Sequence, residues 1–467
     1  MKPFASKLAG LFALLLLPCL AQADNMVTIY DAALDNDPVL GAARAGHKAR
    51  KQAVPQARSQ LLPNITAGAS TTWNERSFPV PPIQDTNPAS PTFGQFVDVP
   101  DQNFNEHAWQ ARLTQPLLDM EAWYGVGSAK ATVKQSASLL AATEQNLIVR
   151  VIQSYLSVLR AQDLLDSTVA EEAAVKRQLE QVQQRFDVGL VAITDVLEAQ
   201  AAYDNSVARR IQADGDQGIQ FETLRTLTGM SHESLDRLAA SLPIIDPSPR
   251  NEEDWVNSAL GSNLNIAAAE AQLRAAEKTL RARQAAHLPT LNGVINHSHF
   301  STGGPSFIGN KIDTTSYSLE LSLPLYLGGF NHARRREAGA LAEQAREQLQ
   351  DQRLTVSRDT RNLFRAVATD VVRVKARLKA IKSSESALDA TQTGYEVGTR
   401  NIVDVLQAQQ RLYGTQFEYA DARYSYVNNL MRLKQAAGTL VVDDLQELNN
   451  FTDAGNPVKR QVLLSNQ

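Results

Sequence analysis

Residues Ser316 to Leu323 alternate polar and apolar side chains without a fault, the period of a strand with one wet and one apolar face. Trp109, Ala111 and Leu113 alternate with Gln110, Arg112 and Thr114 in the same way. Segments 65–73 and 291–300 carry a weaker version of the pattern, broken by glycines and polar residues, so four strands are expected. The remaining chain reads at another period. From Leu117 to Leu242 and from Leu325 to Asn456 there is no proline, and both tracts are rich in Ala, Gln, Glu, Arg and Leu, which favour helix. Ile148, Ile152, Tyr155 and Leu159 recur at spacings of 4, 3 and 4, the seam of a helix packed lengthwise against others. Helices are expected from about Met120 to Asp187 and from about Asn331 to Glu396, each on the order of 100 Å long at 1.5 Å per residue. Both end in Val-Gly, at Val188-Gly189 and Val397-Gly398, where glycine can take the left-handed conformation that stops a helix. The chain then returns as a second helix.

The elements occur twice. Ala33 to Pro63 matches Ala259 to Pro289 at a constant offset of 226 residues, both stretches being Ala-rich and ending in Leu-Pro. Leu113 to Leu117 matches Leu321 to Leu325 at an offset of 208. Phe186 to Gln200 and Tyr395 to Gln409 are identical at eight of 15 positions at an offset of 209, which Gly229 and Gly438 keep. The chain is therefore read as a tandem duplication, with a first repeat over 24–242, a second over 243–450 and a flexible tail over 451–467. The first copy carries extra residues between Phe78 and Pro100; six prolines there mark an exposed loop.

Lys2 and Lys7 precede an apolar run from Leu8 to Leu20, and Ala21-Gln22-Ala23 supplies a small-x-small cleavage pattern, so residues 1–23 read as an export signal. Cys19, the sole cysteine, leaves with it, which excludes a disulfide framework, a cysteine metal site and a cysteine nucleophile. Pro18 before Cys19 argues against lipid attachment there. Beyond residue 23 no apolar stretch approaches the roughly 18 to 20 residues a spanning helix needs, so a membrane role would fall to the strands. The 467 residues carry a net charge of −4 and no basic block, which disfavours nucleic acid as a partner. No Gly-x-Ser-x-Gly, phosphate loop or His-Glu-x-x-His is present, and neither an enzyme nor a cofactor is expected.

Four strands per chain leave two raw edges and cannot close a barrel. Three chains would supply twelve strands, enough for a closed barrel with an aqueous lumen, and would gather the long helices into a second tube.

The tandem copies, the Leu-Pro and Pro-Leu brackets around the strands, Gly328-Gly329 and the segment Gly394 to Leu406 resemble the TolC family of outer-membrane channel proteins over nearly the whole chain after residue 23. The resemblance implies an α+β homotrimer: a twelve-stranded barrel among outer-membrane lipid, continued by a long α-helical barrel in the periplasm. It implies an exit duct for type I protein secretion or for efflux, docked onto a periplasmic adaptor and an inner-membrane pump, ABC-type or proton-driven. By the same resemblance, Thr194 and Asp195 face Tyr395 and Arg400 in a lattice that holds the periplasmic entrance shut, with Gly189 and Gly398 as the helix-tip turns. An Arg400-carboxylate contact would be charge-assisted, and a docking partner would exchange it for its own contacts. The plainer alternative has Asp195 and Asp404 complementing the dipole of a helix first turn, and both readings can hold together. Asp404 resembles the family's pore-ring aspartate, three copies of which would attract cations. One turn on, the family's second acidic ring position is Gln407 here, so the ring carries less charge; Glu198, its counterpart in the first copy, either compensates or is a solvated helix residue.

Other residues carry weaker signals. His297 and His299 fall on one face of a strand, without a third metal ligand in view. Arg334, Arg335 and Arg336 open a helix just after a strand, where they either meet lipid headgroups or form a solvated face. Trp73, Trp109, Phe300 and Tyr317 are candidates for interfacial belts, core packing being the alternative. The rival class is a periplasmic coiled-coil adaptor, which also has long helical hairpins but lacks this duplication and these alternating hairpins.

Overall fold

A computed structural model describes residues 24–77, 81–98, 101–304 and 307–460, with side chains 307–309 excepted. The expected export signal lies outside the described residues. In chain order the elements are α1 (Met26–Asn36), α2 (Pro38–Lys51), α3 (Ala53–Ser59), β1 (Asn64–Arg76), β2 (Ile83–Gln84), β3 (Phe96–Val97), β4 (Gln102–Leu118), α4 (Met120–Asp187), α5 (Ile193–Thr228) and β5 (Ser234–Leu238). There follow α6 (Glu252–Ser262), α7 (Leu264–Ala285), β6 (Thr290–Gly304), β7 (Phe307–Ser322), α8 (Phe330–Glu396), α9 (Ile402–Ala436), α10 (Val442–Asn449) and β8 (Thr452–Lys459). Two units partition the chain: one takes residues up to 43, 141–263 and 354 onward, the other 44–140 and 264–353.

The second unit holds one four-stranded antiparallel sheet in the order β1-β4-β6-β7, so β1 and β7 are its edges. Its register is continuous over most of its length. Ile65 lies opposite Leu113, Leu113 opposite Ile295 and Ile295 opposite Tyr317, which makes one apolar row across all four strands. Leu319 and Leu321 extend that face along β7 and, like Ile65 (71% exposed) and Tyr317 (76%), they are uncovered. One residue away in every strand the face is polar: Thr66, Arg112, Asn296 and Ser316 form the neighbouring row, and Arg112 Nη2 lies 3.5 Å from Glu320 Oε1. A sheet apolar and uncovered on one face and polar on the other has the pattern of a barrel wall between lipid and water. Trp73, Trp109 and Tyr317 share the apolar side. Phe300 does not: period-two alternation sets it beside Ala108 and Ile312 on the opposite face, so it drops out of the belt. The proline-rich insert carries only the two-residue strands β2 and β3, paired with each other, and is largely exposed.

In the first unit the same local geometry occurs at two pairs of sites. Helix α1 breaks at Asp37 and α6 at Asn263, both caps being extended with backbone N–H bonded to the helix four residues back. Gly229 ends α5 at φ +73 and Gly438 follows α9 at φ +73. Each packs against the residue before one of those breaks: a Cβ on Gly229 would sit 3.1 Å from Asn36 Cβ, and one on Gly438 would fall on the Ser262 carbonyl. The predicted seam is buried at Ile148, Ile152, Tyr155 and Leu159, but so are Leu147, Val151 and Val158, so α4 is enclosed on several faces there. Tyr155 donates to the Asp236 carbonyl at 2.6 Å, and burial pushes its phenol up.

The segment expected to be a tail from 451 instead forms β8, which pairs antiparallel with β5, Leu235 opposite Val458 and Leu238 opposite Thr452. Val458 is buried in that pairing; burial of its apolar side chain and the ladder bonds supply the free energy that fixes the segment. Residues 461–467 lie outside the described residues.

Candidate functional site

The two helix-to-helix turns are built alike. After α4, Leu190 N–H reaches back to the Arg185 carbonyl at 2.8 Å and Gly189 N–H to Phe186 at 2.8 Å; after α8, Thr399 N–H bonds Gly394 at 2.8 Å and Gly398 N–H bonds Tyr395 at 3.1 Å. This six-to-one bond enclosing a shorter one needs a left-handed residue. Gly189 at φ +79 and Gly398 at φ +80 supply it. The next helices start differently. Helix α9 opens with a reciprocal cap in which Asn401 Oδ1 accepts from the Asp404 N–H at 2.8 Å and Asp404 Oδ2 accepts from the Asn401 N–H at 3.4 Å. Helix α5 has Ala192 at that position and no side-chain cap.

Between the turns lies a small core of Val175, Val182, Val196, Ala199, Ile402 and Leu406, with Phe186, Val191, Tyr203 and Tyr395 packed against it. This core sets the position of Tyr395, whose hydroxyl is buried without a hydrogen-bond partner within the chain. Burial pushes its phenol up; the Arg185 charge opposes that and Asp195 adds to it. Arg185 stands with its guanidinium carbon 4.9 Å from the centre of the Tyr395 ring, within cation-π range. A polar cavity of about 490 Å³ opens beside this pair, lined by Gln178, Gln181, Gln184 and Gln392 among others.

Asp195 lies near enough to Tyr395 for its charge to add to the rise of the phenol. Within one chain Arg400 does not reach Asp195: it is exposed, and its ion pair is with Asp404, Nη1 to Oδ2 3.8 Å. Thr194, Glu198 and Gln407 are exposed, while Asp195 and Asp404 are half-buried. Arg185 was not singled out by its sequence. The signal lay in the repeat alignment, where Arg185 is the counterpart of Gly394. A Cβ on Gly394 would come 2.8 Å from Arg400 Cγ and 3.2 Å from Thr399 Oγ1. In the second copy this glycine makes room for Arg400; in the first copy an arginine grows from the same position and covers Tyr395.

The weaker candidates resolve separately. His297 Nδ1 shares a hydrogen bond with Thr315 Oγ1 at 2.8 Å, and His299 Nδ1 one with Asp313 Oδ1 at 2.6 Å. Among the described residues no group of three His, Cys, Asp or Glu is placed to hold a metal ion. Arg334 lies over the Phe330 ring at 5.3 Å, and Arg335 and Arg336 are exposed.

Comparison with known proteins identifies the family. The sequence matches the outer membrane efflux protein family over residues 29–230 and 255–439. Outer membrane protein TolC of Vibrio cholerae is 34% identical over 91% of this chain and 93% of its own. Alkaline protease secretion protein AprF of Pseudomonas aeruginosa is 27% identical over 99% of this chain and 94% of its own. Among solved structures, the channel protein CusC superposes with a TM-score of 0.75 at 16% identity, covering 89% of this chain and 92% of that one. The adaptor alternative finds no support among these matches, which are to outer-membrane channel and secretion proteins. The chain belongs to the outer membrane efflux protein family: it is an outer-membrane channel and not an enzyme.

Proposed function

We propose that three copies of this chain join β7 of one to β1 of the next, closing a twelve-stranded barrel in the outer membrane, and that the helical hairpins form a periplasmic duct shut at its tip. The single observation that carries this reading is the sheet itself, with an uncovered apolar face, a polar face and two unpaired edges. Unpaired edge groups in lipid cost several kcal/mol each, and closure removes them. At the tip, Tyr395 faces Asp195 within its own protomer, and Arg400 meets Thr194 and Asp195 of the next protomer. The Tyr395 hydroxyl, buried and unpartnered in one chain, is the donor that such a lattice would satisfy. Asp404 forms the pore ring, with Gln407 lowering its charge and Glu198 at its rim. A periplasmic adaptor and an inner-membrane pump open the tip by offering contacts that replace the lattice. Type I secretion of proteins and efflux of small molecules are the two uses, in keeping with the secretion named for AprF and the efflux named for the family.

The test combines native mass and conductance. Protein extracted from outer membranes in detergent should be a trimer, and Tyr395→Phe with Arg400→Ser should raise single-channel conductance in planar bilayers. An unchanged trace from folded trimers removes the latch; a monomer removes the barrel.

A further inference from the structure

Sixteen residues occupy four successive rows on the outward face of the sheet. The first row, Ile65, Leu113, Ile295 and Tyr317, is wholly apolar. The next holds Ala67, Ala111, His297 and Thr315, the third Ala69, Trp109, His299 and Asp313, and the fourth Thr71, His107, Ser301 and Lys311. Each row lies about 7 Å further along the strands, toward the hairpin ends and away from the helices. Within about 20 Å the face passes from hydrocarbon-like to hydrogen-bonding. Three of the protein's seven histidines, with Lys311, stand on this strip.

We propose that His107, His297, His299, Lys311 and Trp109 form a binding patch for the phosphate of an outer-leaflet glycolipid. The strip continues the lipid-facing rows, so its polar groups meet lipid and not bulk water at their inner margin. There an unpaired donor is costly. His297 and His299 engage Thr315 and Asp313 through Nδ1 and leave Nε2 free of partners within the chain. The Trp109 ring packs beside both, with centroids 5.1 Å from His297 and 6.0 Å from His299, fixing their planes. Asp313, the one carboxylate among the sixteen, is taken up by His299 at 2.6 Å. Lys311 is then left to face an incoming anion, and beside it the exposed His107, whose Nε2 lies 3.3 Å from Asn105 Nδ2, presents its Nδ1. A tryptophan body at the acyl boundary with cation-capable donors just beyond it fits a headgroup that is anionic and set on acyl chains. A divalent cation fits less well, since both Nδ1 atoms are already engaged and no third ligand joins them.

The patch rests on the outer-membrane location and not on the tip lattice, so it can be tested apart from gating. Detergent-purified protein is incubated with lipid A bearing both phosphates or with its dephosphorylated form, and retained lipid is read by native mass spectrometry. Retention of the phosphorylated form should exceed that of the other by about 10-fold, and His297→Gln/His299→Gln/Lys311→Gln should abolish the preference. Should that variant fail to assemble, His107→Gln/Lys311→Gln, at two exposed positions, should still weaken it. Equal retention of the two lipids, or a preference intact in the variants, overturns the proposal. Displacement by millimolar inorganic phosphate would replace the lipid by a free anion and overturn it too.

Discussion

Replacing Arg185 by glutamine isolates the contact that the tip geometry adds to the expected lattice. Glutamine keeps helix propensity and length, and the apolar packing of Tyr395 against the tip core that includes Val182, Val196, Ile402 and Leu406 does not involve the guanidinium. What is lost is a cation 4.9 Å from the ring centre. At a half-buried site that is worth about 1 kcal/mol. If protomers open one at a time, the closed state of each weakens about 5-fold; if three open together, the losses combine to about 3 kcal/mol and the closed-to-open ratio falls about 150-fold. Planar-bilayer recordings separate the two by the fraction of time spent in the high-conductance level and by the presence or absence of intermediate levels. Arg185→Lys, which keeps charge but loses the planar stack, should fall between parent and glutamine. An open fraction within about 2-fold of the parent for Arg185→Gln, in trimers that melt normally, would refute the reasoning.

Further outcomes follow from the same structure. Gly438→Ala should lower the melting temperature of detergent-held protein more than Gly229→Ala, because both are left-handed at a cost of about 1 to 2 kcal/mol but only the first puts a Cβ against backbone, at Ser262 and Asn263; equal losses would contradict this. Asp236 is buried, and burial, Asp453 and Asp24 push its carboxyl up. The stability it contributes is therefore full below about pH 4 and declines as pH rises through its folded value. Asp236→Asn should raise the melting temperature at pH 8 and lose that advantage toward pH 4. Asp37 runs the other way: burial raises it, yet the Arg150 hydrogen bond, the Leu40 and Val39 amides and the Arg150 charge together bring it below its ordinary value. Asp37→Asn should destabilise above about pH 4, the deficit shrinking as pH falls through the lowered value. Asp404→Asn should reduce cation selectivity with the α9 cap largely kept, and identical reversal potentials before and after would rule out the ring.

The long helices were legible almost to the residue because proline-free tracts end in Val-Gly at positions only glycine fills cheaply. The strands were found but cut short. Alternation survives only where one face meets hydrocarbon; beyond Trp109 and His297 that face carries His299, Ser301, Asp313 and Lys311 while Phe300 and Ile312 stand on the other, so the true starts and ends, such as Gln102 and Gly304, carry no clean period-two signal. Strand β8 was missed for another reason. Asp453, Gly455 and Pro457 look like turn residues, and their partner β5 lies more than 200 residues earlier. At the tip, Gly189, Gly398 and Asp404 announce themselves through turn and cap chemistry. Arg185 does not, because its role depends on how one hairpin packs on the other.

The Arg185 and Gly394 exchange means that the two copies are no longer interchangeable. Three chains would set six hairpin tips around the axis, alike in backbone and alternating in surface: one with an arginine folded onto its neighbour's tyrosine, the next with a bare glycine under a free arginine. A six-membered ring of identical partners would therefore find two kinds of seat. Its subunits would have to bind in two modes, or pair up so that each pair reads both faces, and the threefold character of the duct would be imposed on a sixfold collar.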